Sequence, residues 1–258
     1  MIFNLFKKSP VIDENTRQWL IDTFAWAIAH FDAKTFHHET QLILPNNDFY
    51  SGRVASIDEM AENIFTHTVN YAGMKNWPLR LLSPNQAINS LLPQLTVTNA
   101  LRGEQAQILI NDQIPTIDFT FNPQQINQPQ DLIASYAQQL ATVLVMQQKV
   151  LPPGGQETIP QAIDVLACVM GFGVIFANTA YQFRGGCGSC YNPRANRQAA
   201  LPEHEMLYSL AIFCQLKAIP VKNVTPHLKS HLRSDFKRMV KDVQQVLPLS
   251  EQAVLASA

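Results

Sequence analysis

Between Val165 and Ala177 the chain runs for thirteen residues without a charge. A segment that is apolar on every side has to be covered on every side, so the rest of the chain must wrap it. A membrane crossing needs about 20 such residues. Here Asp164 and Asn178 bracket the run, and the pattern is that of a buried core helix from about Pro160 to Tyr181. The stretch ahead of it, Asp131 to Met146, supplies a partner. Leu132, Ile133, Tyr136, Ala137, Leu140, Ala141 and Leu144 recur at helical spacing and form a stripe to bury. Pro129 suits a first helical turn, and Asp131 favours the positive end of the helix dipole. The opposite face is polar or small: Ser135, Gln138, Gln139 and Thr142. Pro152-Pro153-Gly154-Gly155 separates the two helices.

The same reading extends to both ends. Asp13 or Asn15 caps a first helix to about His30, with Trp19, Leu20, Phe24, Ala25 and Ile28 on one side. Gln41 to Pro45 reads as a short strand. Ser56-x-x-Glu59 forms a capping box for a helix from Ser56 to Tyr71. Four more short strands follow, at Pro78–Leu82, Gln94–Val97, Gln107–Ile110 and Thr116–Phe121; in the last, Ile117, Phe119 and Phe121 share a face. Beyond a Gly/Cys-containing loop at Arg184–Ala199, helices are expected at Glu203–Leu216 and from Pro226 to about Leu247. The expectation is an α+β fold in a single domain, 1–258. Its mixed half (1–125) carries a small sheet, and its helical half (126–258) is built round the central helix pair.

Charge narrows the function. Charged residues make up 15% of the chain, against about 25% in an ordinary globular protein. The net charge is −1, which gives no global field to gather nucleic acid or a membrane surface. The N-terminus puts apolar residues ahead of Lys7 and Lys8, the reverse of a secretory leader, so a cytoplasmic location is expected. Four cysteines are too few for a secreted disulfide framework at this length.

Four features could carry chemistry. Cys187-Gly188-Ser189-Cys190 has the spacing of a metal clip, which could bind Zn²⁺ within one chain or across a homodimer. The same four residues also fit a redox pair or ordinary reduced thiols in a turn. Lys229, Arg233, Lys237 and Lys241 recur every fourth residue beside an apolar stripe of Leu228, Leu232, Phe236 and Val240. That basic ridge suits a solvated face or, less readily, an anionic partner such as a nucleic-acid backbone. His37-His38-Glu39 has metal-ligand residue types, but adjacent side chains diverge and do not converge on one ion. Asp164 either opens its helix near solvent or is buried with a partner, for which Gln138 and Thr142 are the candidates.

One resemblance draws these features together. Leu42-Ile43-Leu44-Pro45-Asn46-Asn47-Asp48-Phe49-Tyr50, Ala61-Glu62-Asn63-Ile64-Phe65 and Leu132-Ile133-Ala134 leading into Ala137–Thr142 begin the pattern. Asp164 to Ala167, Gly171-Phe172-Gly173, Phe176-Ala177-Asn178, Cys187–Cys190 and Tyr208–Cys214 complete it. Over nearly its whole length the chain resembles a group of bacterial zincin-like, metallopeptidase-like proteins. Members of that group carry His-Glu-Leu-Ala-His where this chain has Gln138-Gln139-Leu140-Ala141-Thr142. The resemblance places Asp164 where an acidic residue of the following helix completes the metal site. In such a site two histidines one turn apart hold the metal, and the Glu between them takes the proton from the bound water. A Gln amide is a poor zinc ligand and no general base, Thr142 is no better, and one carboxylate does not hold Zn²⁺. The resemblance therefore implies the fold of a metallohydrolase without its chemistry, a pseudoenzyme that binds a protein partner or a small ligand. Gln138, Gln139, Thr142 and Asp164 would line the remaining polar pocket. The alternative is a metal- or redox-dependent protein working through Cys187 and Cys190.

Overall fold

The computed structural model describes residues 11–86, 92–108, 116–180 and 195–247. The fold is α+β. Helix α1 (Glu14–His30) starts where Asp13 accepts a hydrogen bond from the Thr16 amide at 3.0 Å. A short α2 (Ala33–His38) follows, and then α3 (Ile57–Tyr71). Ser56 caps α3 by accepting from the Glu59 amide at 3.1 Å, and the Glu59 carboxylate reaches back to the Ala55 amide at 2.8 Å. The reciprocal cap thus engages one residue further out than a standard capping box.

Four strands come next: β1 (Leu79–Leu82), β2 (Val97–Asn99), β3 (Ala106–Ile108) and β4 (Ile117–Thr120). They do not form one sheet. β1 pairs in parallel with β4, Leu79 opposite Ile117, while β2 and β3 pair antiparallel on their own, Val97 opposite Ile108. A parallel pair needs a crossover connection, and β2 and β3 lie within that crossover. β4 turns Ile117 and Phe119 into the core. Phe119 packs on Phe65 of α3 with ring centroids 5.2 Å apart, and Phe65 in turn meets Tyr136 edge-on at 5.2 Å.

Tyr136 belongs to α4 (Pro129–Gln148), which ends at Lys149 in the left-handed conformation. The apolar segment after it forms α5 (Ile159–Ala167), one turn of π-helix (Cys168–Phe172) and α6 (Gly173–Ala180). From Ala162 to Ala180 every residue is buried. Among the described residues, Gly155–Ala180 is the one helical stretch long and apolar enough to cross a membrane, and 83% of its apolar window is buried inside the protein. The expected continuous helix is broken at Gly171, whose φ of 102° lies outside the helical region. The cause is the segment expected as the Gln41–Pro45 strand. It lies against the break, and Ile43 N donates to Gly171 O at 2.9 Å. No ladder grows from that contact because its neighbour is a helix kink, so the segment stays outside any strand.

The C-terminal part holds α7 (Glu203–Leu216), α8 (Val221–Val224) and α9 (Arg233–Val246). The single helix expected from Pro226 begins only at Arg233. Two 3₁₀ turns, Thr225–His227 and Ser230–Leu232, precede it, with an extended Lys229 between them. The apolar stripe survives this change: Leu228, Leu232, Phe236 and Val240 are all buried, within one continuous hydrophobic cluster that includes residues of both halves.

Candidate functional site

Asp164 sits on α5 with no exposed side chain, so the reading of a solvated helix start is corrected. A carboxylate held there must be neutralised and fully hydrogen-bonded. One oxygen accepts from the Arg197 guanidinium at 2.9 Å and from the Gln138 side-chain amide at 3.0 Å. The other accepts from the backbone amides of Ala200 and Leu201 at 2.9 and 3.0 Å. Arg197 is equally buried. Its guanidinium stacks 4.1 Å over the Phe176 ring, and its Nε donates to Thr179 Oγ1 at 3.3 Å. Its own backbone amide donates to Asp131 at 2.9 Å, across from the first turn of α4. Burial pushes the Asp131 carboxyl upward, against the opposing pull of the Arg197 amide, Lys229 and the Arg197 charge. The Arg197 Nη2 has no hydrogen-bond partner among the described residues.

The other expected members of this pocket do not join it. Gln139 points its amide at the carbonyls of Thr120 and Ser135, at 3.5 and 3.3 Å, toward β4. Thr142 donates back to the Gln138 carbonyl at 2.8 Å within α4. The structure therefore brings together Asp164 and Gln138, and adds Arg197. Sequence reasoning missed Arg197 because it is one cation in an irregular stretch. The available signal was chemical and conditional: if the carboxylate beside thirteen uncharged residues is buried, it needs a partner, and a cation is the strongest one.

Cys187 and Cys190 lie outside the described residues. Cys168 and Cys214 are buried free thiols, and burial raises both, Cys214 to about 12. The basic ridge is not one helical face. Lys229 lies ahead of α9, and the Arg233 guanidinium folds back onto the carbonyls of Leu228 and Pro226 at 2.9 and 3.1 Å. Lys237 and Lys241 stay exposed on α9. Among the described residues no group of three or more His, Cys, Asp or Glu side chains is gathered to hold a metal ion.

A second buried arginine, also missed, organises the ends of α1 and α3. Arg102 is fully buried and donates to Phe31 O at 2.9 Å and Ala72 O at 3.3 Å, joining the C-terminal ends of α1 and α3. Its backbone amide donates to Asp32 at 2.7 Å. Burial lowers the Arg102 pKa to about 10, and Asp32 and Glu39 offset part of that. Gly103 follows in the left-handed region, where a Cβ would fall 2.4 Å from Thr35 Oγ1. Lys217 donates to the carbonyls of Phe36 and His37 at 2.7 and 2.9 Å and ties down the end of α2. Two polar hollows of about 400 and 520 Å³ share Thr35, His38 and Glu39 as a common wall.

A third hollow differs in character. It measures about 290 Å³ and lies between the loop after Pro45, α3 and the first turn of α4. Asn46, Asn47, Asn63 and Gln130 contribute amides, and Met60, Ile64 and Ile133 contribute apolar surface.

No protein-family model, no curated protein and no solved structure matches this chain.

Proposed function

We propose that the chain is a catalytically inert, zincin-like protein of the cytoplasm that works by binding a small ligand or a protein partner. The state of Asp164 carries this reading. An acidic metal ligand must offer free lone pairs to the ion. Here a guanidinium takes the position of the counter-cation and two backbone amides take the second oxygen. At the position of the first zincin histidine, Gln138 turns its NH₂ toward the carboxylate, as a donor where a metal ligand would be an acceptor. At the position of the zincin general base, Gln139 is an amide directed at backbone carbonyls, and an amide cannot take a proton from a bound water.

Hydrolysis of unstructured protein and of a mixed peptide library, with and without added Zn²⁺, tests the inert reading. The expected result is no turnover above the protein-free background in either condition. Turnover that appears with zinc and disappears in Gln138→Leu would overturn it.

A further inference from the structure

The hollow of about 290 Å³ has twelve lining residues, and none carries a charge at neutral pH. Tyr50, the one acidic group among them, is held neutral because burial raises its hydroxyl further. An ion-paired ligand therefore gains nothing from the walls. The amides, in contrast, keep unspent hydrogen-bonding capacity in fixed orientations. Asn178 donates to His227 O and accepts from the Lys229 amide, so its own orientation is set. Its NH₂ also donates to Gln130 Oε1 at 2.9 Å. That contact fixes Gln130 and leaves its NH₂ without a partner among the described residues. Asn63 donates from Nδ2 to Ser51 O at 3.2 Å, and among the described residues its Oδ1 is an open acceptor. Gly52 makes this approach feasible: a Cβ there would lie 3.1 Å from the Asn63 amide, at a φ of 141°.

We propose that this recess binds a neutral planar heterocycle with a lactam edge, the chemistry of a uracil or hypoxanthine ring. A lactam presents one C=O and one N–H side by side. Those groups complement the open Gln130 donor and the open Asn63 acceptor. Met60, Ile64 and Ile133 offer apolar surface for the ring faces. Ligand sites usually run from about 300 to 1,000 Å³, so this recess suits a single ring system and little else. A monosaccharide of the same volume carries several hydroxyls. The open amides cannot pair them all, and each unpaired polar group costs about 1–3 kcal/mol.

The inference rests on the reading that the chain works by binding, and it names the ligand class for one recess. The test is titration calorimetry of the full chain with uracil, hypoxanthine and glucose, repeated on two variants. Gln130→Met removes the donor. Val54→Trp fills the mouth from a side chain that is already 39% exposed and so leaves the core untouched. The expected result is saturable one-to-one binding of at least one lactam base, weakened at least tenfold in both variants, with unchanged melting temperature for Val54→Trp. Failure of both bases to bind overturns the inference, as does base binding that Val54→Trp leaves intact. Glucose binding that Val54→Trp abolishes also overturns it, yet leaves the broader binding reading standing. That reading is tested separately, by the hydrolysis assay above.

Discussion

Arg197→Met is expected to lower the unfolding free energy by about 3–5 kcal/mol, the usual consequence of stranding one member of a buried ion pair. Methionine keeps much of the volume and can still pack on Phe176. It leaves the Asp164 carboxylate with the Gln138 amide and two backbone amides but without a counter-charge. It also removes the bond to Thr179. The effect is read from urea denaturation at neutral pH as a fall in midpoint without a change in slope. Asp164→Leu combined with Arg197→Met should recover a large part of the loss, because a buried pair replaced as a unit costs far less than a pair broken in half. A loss below about 1 kcal/mol for the single variant would place the guanidinium in a solvated position and remove the basis for the inert centre.

Gly171→Ala should be comparably severe. The added Cβ would fall 2.2 Å from the Gln41 carbonyl oxygen, a backbone atom that cannot rotate away. At a φ of 102° the residue itself also carries strain of about 1–2 kcal/mol. Overpacking of a tight interior adds about 1–3 kcal/mol, and displacing the Gln41–Ile43 segment breaks the Ile43–Gly171 hydrogen bond, worth about 1 kcal/mol. The sum is about 3–6 kcal/mol, measured by the same denaturation. Gly155→Ala is the control, since a Cβ there meets nothing within 4 Å, although its φ is also positive. If the two variants lose the same amount, backbone strain alone accounts for Gly171 and the close approach of Gln41 does not matter.

These two positions also mark the limit of what the sequence disclosed. Local signals were legible. Asp13 and Ser56 announced α1 and α3 because a cap is decided within four residues. The stripe from Leu132 to Leu144 announced α4 because burial of one face repeats every turn. β4 was legible too, through Ile117 and Phe119, whereas the Gln41–Pro45 strand did not form and β2 starts only at Val97; the pairing was not legible. Which strands become neighbours depends on the path of the crossover, and no residue in β1 encodes β4. The ridge from Lys229 to Lys241 failed for a related reason. Its four-residue interval has meaning only on a continuous helix, and the chain leaves the helical conformation at Lys229. Gly171 was hidden within the apolar run because a glycine there fits both an uninterrupted core helix and a kink. Only the carbonyl of Gln41, 130 residues earlier in the chain, distinguishes the two. At the candidate site, Gln138 and Asp164 were named and do meet. Gln139 and Thr142 were named and turn elsewhere, since helical spacing alone does not say which side of α4 faces β4. Arg197 shows most clearly why long-range pairing resists inference: a buried Asp164 was expected to pair with Gln138 or Thr142, and the cation that also meets it lies 33 residues further along the chain.

The most direct test of the central claim is the zinc content of the untagged full chain purified without chelators, measured alongside a Cys187→Ser/Cys190→Ser variant. The double variant is expected to hold no stoichiometric zinc, because Arg197 already neutralises Asp164 and Gln138 faces it as a donor. A zinc ion retained at about one per chain after loss of both cysteines would contradict the account and put a working metal centre back on α4 and α5.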